Sequence, residues 1–461
     1  MPKARLPRTN LAVRHRLAWL DHLAYALFQA TGRCQLVQCV WLYDRQVDMA
    51  ALAQTTDRLA ALAFNRLVEP SRLPLARPRW VKPAGGAEPI QLSGASLPRS
   101  RLLYWAKQHA RAPFDIVAGP AWRVAVQKFD DGSMAVSIVG SHLILDGMGA
   151  LLAIEAAANG KAVPNVYLAK GARGGLTGYL SDAWQILVDA PRTSAALIRI
   201  ALAACRGPIL SGQRIKMETK PAALPSAVVE LAAVAISVDA VAWDACARRL
   251  GGLSNTLLPG FVATLAAHLG RRRPSDGTVS LLIPVDTRQG LEDDRALAIK
   301  FQKLIVTPEA VTQDLRPINA ALRALLRDTI VRQDDHLALL MPAIAWMPRT
   351  VVSALLKLMF TYADDRPVSC SNLGLLSPEL GCIDGAPASK ILTLAVDVNV
   401  THHDLERSYG HLVVVASRYG QCISLCVEAC QLTPNPTTTD ELRTAVEHTL
   451  ANFGIDAVIY A

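Results

Sequence analysis

The residues at 141–149 place a titratable side chain, an acid and two glycines in a single turn. The apolar run 134–139 predicts a strand, and Ser141 and His142 follow at its end. A histidine titrates near pH 6.5, so His142 can take a proton from an alcohol or an amine near neutral pH. Asp146 can hold the turn by pairing with a cation from elsewhere in the chain. Such residue types are suited to a general-base site.

Gly147 and Gly149 complete this turn. They permit either a positive φ or the close approach of another group to the backbone. A simpler alternative is a strand that ends in a tight turn, with His142 as a hydrogen-bonded core histidine. The spacing alone does not separate the two interpretations, because a motif with a single histidine has low specificity.

The turn resembles the HHxxxDG motif of one acyltransferase superfamily. That superfamily contains nonribosomal peptide condensation domains, chloramphenicol acetyltransferase-like enzymes, polyketide-associated acyltransferases and wax ester/diacylglycerol synthases. His142 matches the second histidine of the motif, and Asp146 and Gly147 match its DG. The resemblance implies that His142 is the catalytic base. Ser141 stands where the family has its first histidine, a position with a supporting role, so this departure concerns the positioning of the site.

Other stretches extend the resemblance over roughly residues 15–455. The order PFD and then GPAWRV, within 113–124, precedes the strand that leads to the histidine, as it does in the family. The stretch 280–288 looks like the family's PVxxR element, whose arginine is expected to pair with the motif aspartate. We therefore predict that Arg288 contacts Asp146; a surface salt bridge is the alternative.

The stretch 368–374 resembles the SNxG strand of stand-alone family members, which borders the substrate tunnel. Ser371, Asn372 and Gly374 are therefore candidate residues of the tunnel wall. Ser371 or Asn372 would donate a hydrogen bond to a tetrahedral oxyanion. The alternative is a strand that simply ends in a turn.

The resemblance also implies the fold. It is an α/β fold with mixed sheets, in which two chloramphenicol acetyltransferase-like subdomains form a V-shaped pseudo-dimer with an active-site tunnel between them. We divide the chain into an N-terminal half, 1–175, which carries the histidine, a linker or crossover segment, 176–224, and a C-terminal half, 225–461. Glycine-rich loops and Ala/Arg-rich helical stretches mark the middle segment.

Composition limits the class of protein and its partners. Of the 461 residues, 51% are hydrophobic, which is enough for a large core, and the net charge is +9. A basic balance suits nucleic acid, an anionic membrane surface or an anionic ligand such as CoA. Aromatic residues make up only 5% and do not alternate with basic ones, so nucleic-acid binding is not expected.

The nine cysteines predict reduced thiols in a cytoplasmic protein, because their number is odd and no signal peptide is recognisable. No metal site is expected, since no cysteine pair has zinc-ligand spacing. No stretch predicts a transmembrane helix: the best candidate, 341–363, is interrupted by prolines and charges. Part of it, together with 195–209, could contact a membrane peripherally or line an apolar tunnel; core helices explain both stretches equally well.

Three hypotheses about function remain. In the first, a monomeric acyltransferase of natural product or lipid biosynthesis moves an acyl group from a thioester to an alcohol or amine. The donor is acyl-CoA or a phosphopantetheine thioester on an acyl or peptidyl carrier protein. Neither a covalent acyl-enzyme nor a tightly bound cofactor is needed.

In the second hypothesis, a free-standing condensation enzyme forms an amide between carrier-bound substrates; the lack of a DFGWG-like element argues against it. In the third, the protein is a non-catalytic relative that binds a carrier or a lipid. The loss of the first motif histidine favours this reading, whereas the retention of His142, Asp146 and Gly147 opposes it. A Ser/His/Asp hydrolase is disfavoured, because no G-x-S-x-G elbow is present.

Overall fold

The computed structural model describes residues 15–161, 166–205, 227–290, 292–331, 365–432 and 437–461, with a few positions between 339 and 352. Most of the apolar stretch 341–363 lies outside the described residues, as does the end of the stretch 195–209. The expectation of a membrane contact can therefore be followed only on the helix that precedes residue 206.

Helices and strands interleave along the described chain. The first part contains α1 (Trp19–Thr31), β1 (Cys34–Tyr43), α2 (Met49–Ala60), β2 (Leu67–Glu69), β3 (Arg79–Val81), β4 (Gln91–Leu92), α3 (Leu102–Arg111), β5 (Trp122–Lys128), β6 (Met134–Ser141), α4 (Gly147–Ala158) and α5 (Leu176–Cys205). The second part contains β7 (Ala232–Asp239), α6 (Ala240–Arg249), α7 (Ser254–His268), β8 (Val279–Asp286), β9 (Ile299–Val306), α8 (Arg316–Val331), β10 (Val368–Leu375), β11 (Lys390–Val398), α9 (His402–Ser408), β12 (His411–Tyr419), β13 (Cys422–Cys430), α10 (Thr439–Phe453) and β14 (Ala457–Tyr460).

Two mixed sheets form the frame. The five-stranded sheet has the order β11–β1–β6–β5–β4, and the seven-stranded sheet has the order β14–β7–β13–β12–β10–β8–β9. Pairing is antiparallel except where β4 meets β5 and where β10 meets β12 and β8. The predicted α/β fold with mixed sheets is confirmed.

The local sequence explains how the histidine turn is held. Strand β6 is apolar and fully buried because it lies between β1 and β5, within the five-stranded sheet. Helix α4 starts immediately after the turn because Asp146 caps it: its carboxylate accepts a hydrogen bond from the N–H of Gly149 at 2.7 Å. Only residues 142–145 connect the strand to the cap, so His142 sits between two fixed elements.

Strand β11, from the second part of the chain, pairs with a strand of the first part. It belongs to the range 225–461, yet it pairs antiparallel with β1 and places Val396 opposite Leu36. The residues before it, including Leu380 and Ile383, are buried in the same core as Trp41. The sheet that carries the histidine therefore includes a strand from the second part of the chain, while the predicted domain boundaries stay predictions.

Among the described residues, no single helix is both long and apolar enough to cross a membrane. The bent pair formed by α6 and α7 meets the length and composition criteria when its two helices are taken together.

Candidate active site

A cavity of about 320 Å³ lies between the two sheets, with His142 on its wall. Its volume falls within the range of small-molecule sites. Alternate residues of a strand point to one face, and Gln35, Val37 and Cys39 of β1 line the cavity in this way. The residues that the strands contribute are Gln35, Val37, Cys39, Pro284, Asp286, Ile299, Ser369, Ser371, Asn372, Leu373, Gly374, Thr393, Leu394, Ala395, Val413 and Val415.

His142 is held in place through its backbone. Its N–H donates to the carbonyl of Gln35 at 2.9 Å. Burial lowers the pKa of His142 below its ordinary 6.5, against the opposing charges of Asp146 and Asp397. The imidazole is therefore neutral at pH 7, the state that a general base requires.

Asp146 braces the turn with both of its carboxylate oxygens. Oδ1 accepts from the N–H of Gly149, while Oδ2 accepts from Nη2 of Arg288 at 2.6 Å and from the N–H of Ala298 at 2.8 Å. The side chains of Arg288 and Asp146 are only 3% and 2% exposed. The predicted contact is present, and it is a buried pair instead of a surface salt bridge.

The guanidinium of Arg288 extends this brace to the backbone of the neighbouring segment. It donates to the carbonyls of Asp293 at 3.1 Å, Arg295 at 2.9 Å and Ala296 at 3.1 Å. The N–H of Asp146 in turn donates to the carbonyl of Ala296 at 2.9 Å. The histidine turn and the segment 293–298 are thus locked together, an arrangement that orients a catalytic group without acting on the substrate.

The two glycines of the turn allow close approach; neither has a positive φ. Both lie in the first turn of α4. A Cβ on Gly149 would stand 3.0 Å from the guanidinium carbon of Arg288, and a Cβ on Gly147 would stand 3.1 Å from Cδ2 of Leu373. The sequence left open whether these glycines provide a positive φ or a close approach of another group. In the structure they provide the close approach.

Ser141 lies behind the histidine, within the sheet. Its hydroxyl is 3.4 Å from Sγ of Cys34 and accepts a hydrogen bond from the N–H of Leu143 at 3.3 Å. The residue is buried. Its side chain thus contacts the turn from the inside, and a supporting role for it stays a prediction.

The stretch 371–374 forms part of the cavity wall on the seven-stranded sheet. Oδ1 of Asn372 accepts from the N–H of Gly374 at 2.9 Å, and Gly374 has a φ of 74°, which glycine adopts readily. This turn brings Leu373 against Gly147. The hydroxyl of Ser371 and the side-chain N–H groups of Asn372 remain as donors at the wall, and their catalytic role stays a prediction.

Arg66 is a buried brace of the same turn that no sequence pattern marks. It donates to the carbonyl of Ile144 at 2.9 Å and to that of Asp294 at 2.6 Å, and its guanidinium stacks 4.1 Å from the ring centroid of Trp80. A single arginine directly before a short strand carries no signal of this role, because its partners are backbone carbonyls far away in the sequence.

Asp21 holds the segment 293–298 from the opposite side. Its carboxylate accepts from the N–H of Ala296 at 3.0 Å and from that of Leu297 at 2.8 Å. Burial raises the pKa of Asp21 to about 6, although these hydrogen bonds and Arg66 oppose the shift. The acid lies in the first turn of α1, where an aspartate is ordinary, so the sequence does not reveal its role.

Asp286 is a second acid at the cavity, at the end of β8. Its Oδ1 accepts from the N–H of Arg288 at 3.0 Å. Burial raises its pKa, and the charge of Asp146 adds to the shift. A titratable acid that faces the ligand space is a candidate substrate contact that the sequence did not single out.

Behind the cavity, Asp397, His411 and Glu428 place their polar atoms within 4.8 Å of one another. Among the described residues this trio is the group that could hold a metal ion. Arg33 already donates to Asp397 at 3.0 Å, and Gln35 donates to it as well. Burial opposes ionisation, yet His411 and Arg33 lower the pKa of Asp397, whereas burial raises the pKa of Glu428. The carboxylates of the trio are thus paired with Arg33 and His411, and these groups form an ion-pair network between the two sheets.

Comparison with known proteins relates the chain to others at the level of fold. No protein-family model and no curated protein matches the sequence. Among solved structures, the first condensation domain of the CDA synthetase superposes with a TM-score of 0.58 at 14% identity, covering 97% of this chain and 100% of that one.

Two further structures have other activities or ligands in their names. A protein of F. sporotrichioides, solved with coenzyme A and T-2, gives a TM-score of 0.52 at 12% identity over 97% of this chain and 99% of its own. The wax ester synthase/diacylglycerol acyltransferase from Marinobacter aquaeolei VT8 gives 0.51 at 16% identity over 95% and 100%. This chain therefore has the two-subdomain fold of condensation domains and related acyltransferases, as the sequence predicted.

Proposed function

We propose that this protein is an acyltransferase that moves an acyl group from a thioester to an alcohol or an amine, with His142 as the general base. One observation carries the proposal: a neutral imidazole, braced through Asp146 and Arg288, stands on the wall of a cavity between the two sheets. The same fold occurs in condensation domains and in a wax ester synthase, which supports this class of reaction.

In the proposed reaction, the acceptor and the thioester meet beside His142. The imidazole of His142 takes the proton of the hydroxyl or amine while the acceptor's oxygen or nitrogen attacks the thioester carbonyl. The negative charge that develops on the carbonyl oxygen would be met by a donor from Ser371 or Asn372. When the carbon–sulfur bond breaks, the thiolate leaves and takes up the proton from the imidazolium.

Direct transfer is favoured over a covalent acyl-enzyme. Within the described parts of the chain, no serine or cysteine side chain is hydrogen-bonded to the ring of His142, so no hydroxyl or thiol is activated there. Cys39 lines the cavity, but burial raises the pKa of its thiol to about 12, which leaves it protonated at neutral pH.

The donor class is an acyl thioester of CoA or of a carrier protein. Val37 of β1 and Val413 and Val415 of β12 give the cavity an apolar wall, and this favours an acyl chain of medium or greater length. A free-standing condensation enzyme is the second candidate, because a condensation domain is among the structures that superpose on nearly all of this chain, over 97% of it. In that case both substrates would be carried on phosphopantetheine arms.

The test is release of free thiol from a panel of acyl-CoAs and carrier-bound acyl thioesters, with and without pooled alcohols and amines. We expect release that depends on an acceptor, and mass spectrometry of the product will separate ester from amide. Release that needs carrier-bound forms of both substrates would select the condensation reaction. If neither donor class shows acceptor-dependent release, the proposal is contradicted. The remaining hypothesis is then a non-catalytic protein that binds a carrier or a lipid.

A further inference from the structure

Helix α5 packs against the rest of the protein through its polar side chains. Arg79 donates to Asp182 at 2.7 Å, and Arg77 donates to Asp189 at 2.9 Å. Both aspartates are buried, and so is Gln185, which lies between them along the helix. The side of the helix that faces the protein is therefore held by ion pairs and hydrogen bonds.

The opposite side of α5 is apolar and faces solvent. Helical spacing puts its large apolar residues on one face, because they recur at intervals of three, four and eleven residues. We call this face the apolar stripe; it consists of Leu176, Leu180, Trp184, Leu187, Ile198 and Leu202. These residues are 50% to 73% exposed, and the helix of 30 residues is about 45 Å long. An exposed apolar surface of this extent marks an interaction site.

The exposed charges of α5 are exclusively positive. Arg192 and Arg199 are its basic residues, and both are exposed beside the apolar stripe. The acidic residues of the helix are Asp182 and Asp189, which are paired on the buried side. The outward surface of the helix thus combines apolar side chains with arginines that no acid of the same helix can neutralise.

This charge pattern favours an anionic phospholipid surface over a second copy of the chain as the partner of the apolar stripe. If a second copy of the chain packed on the stripe, the arginines of both helices would approach one apolar interface with no helical acid to pair with, and unpaired buried charges are costly. An anionic phospholipid surface meets both features, since lipid phosphates accept from the arginines while the stripe enters the boundary between headgroups and acyl chains. Trp184 suits this boundary, because indole is apolar with one polar N–H.

We propose that α5 binds the surface of an anionic phospholipid membrane, lying in its plane with the apolar stripe inserted and with Arg192 and Arg199 at the phosphates. The polar contacts to Arg77 and Arg79 hold the helix on the protein while it does so. The proposal does not depend on acyl transfer, because it rests on a surface that contributes no residue to the wall of the cavity.

The test is flotation of the full chain with vesicles of phosphatidylcholine alone and of phosphatidylcholine with phosphatidylglycerol. We expect binding to the anionic vesicles, and loss of that binding in Trp184→Ser/Leu187→Ser. The matched control is Val241→Ser/Val458→Ser, which changes two exposed apolar residues elsewhere and should bind as the wild type does. Circular dichroism and the unfolding midpoint check that both variants are folded. We expect them to be folded because every substituted side chain is exposed.

A second pair of variants tests how much the arginines of α5 contribute to membrane binding. Each arginine near an anionic surface contributes about five-fold to the partition coefficient, so Arg192→Ala/Arg199→Ala should weaken binding by about 25-fold. Arg323→Ala/Arg327→Ala removes the same charge from exposed positions of α8 and should change binding little. Absence of wild-type binding to anionic vesicles would overturn the proposal. So would a dimer in sedimentation velocity that the stripe variant abolishes, because it would assign the stripe to a second copy.

Discussion

Replacing Arg288 by alanine is expected to destabilise the protein by about 4 kcal/mol. The side chain is buried and donates to the carboxylate of Asp146 and to three backbone carbonyls of 293–296. Removal of one partner from a buried ion pair costs about 3–5 kcal/mol. Each carbonyl that loses its donor adds roughly 1 kcal/mol. The N–H groups of Gly149 and Ala298 still serve Asp146, and the N–H of Asp146 still serves the carbonyl of Ala296. At roughly 1 kcal/mol each these three hydrogen bonds offset about 3 kcal/mol, which leaves a loss of about 4 kcal/mol.

Urea unfolding measures this loss, and a double-mutant cycle with Asp146→Asn isolates the pair. Asparagine is as good an N-cap as aspartate, so Asp146→Asn removes the charge and leaves the cap of α4 in place. We expect a coupling free energy of about 1–3 kcal/mol between the two substitutions. Arg288→Lys is the matched control: it keeps the charge but lacks the planar fork, and it should fall between the wild type and Arg288→Ala.

The same variants should lose activity, because the histidine turn is no longer locked to the segment 293–298. Thiol release from the preferred donor should fall in the order wild type, Arg288→Lys, Arg288→Ala. If the losses of unfolding free energy from Arg288→Ala and Asp146→Asn add within about 0.5 kcal/mol in the double variant, the two sites are independent. That result would contradict a stabilising interaction between Arg288 and Asp146.

Three further predictions follow from the site. The kcat/KM for transfer should rise with pH through a midpoint below 6.5, because burial lowers the pKa of His142; a midpoint above 6.5 would contradict this. Gly149→Ala should lower the urea midpoint although alanine favours helices by about 1 kcal/mol, because its Cβ would stand 3.0 Å from Arg288. Gly147→Ala, which meets only the end of a leucine, is the control. For Asp21, the folded pKa of about 6 lies above 3.8, so its contribution to stability is lost as pH rises from 3.8 through 6. Between pH 4 and 7, the unfolding free energy of Asp21→Asn relative to wild type should therefore rise by roughly 2.4 kcal/mol; a constant difference would contradict this.

The histidine turn was predictable because its determinants are local. An apolar run that ends in a polar residue predicts β6, whereas the start of α4 at Gly147, with Asp146 as its cap, is seen only in the structure. The contact between Asp146 and Arg288 was predictable only through the resemblance to a known motif, because nothing local joins two residues so far apart in sequence. The choice between close approach and positive φ at Gly149 depended on the position of Arg288, which only the fold provides.

Other features depend on non-local packing and were not predictable. Strand β11 joins the sheet of β1, since strand order within a sheet is a property of the whole chain. Arg66 and Asp21 act through backbone groups, which are the same in every sequence. Helix α5 shows the limit of periodicity: the pattern groups its apolar residues on one face, but it does not say that this face points outward.

The most direct test of the account compares acceptor-dependent thiol release by wild type, His142→Ala and His448→Ala, an exposed histidine on α10. We expect His142→Ala to lose release while keeping the unfolding midpoint of the wild type, and His448→Ala to retain release. Full acceptor-dependent release by folded His142→Ala would contradict the assignment of His142 as the base.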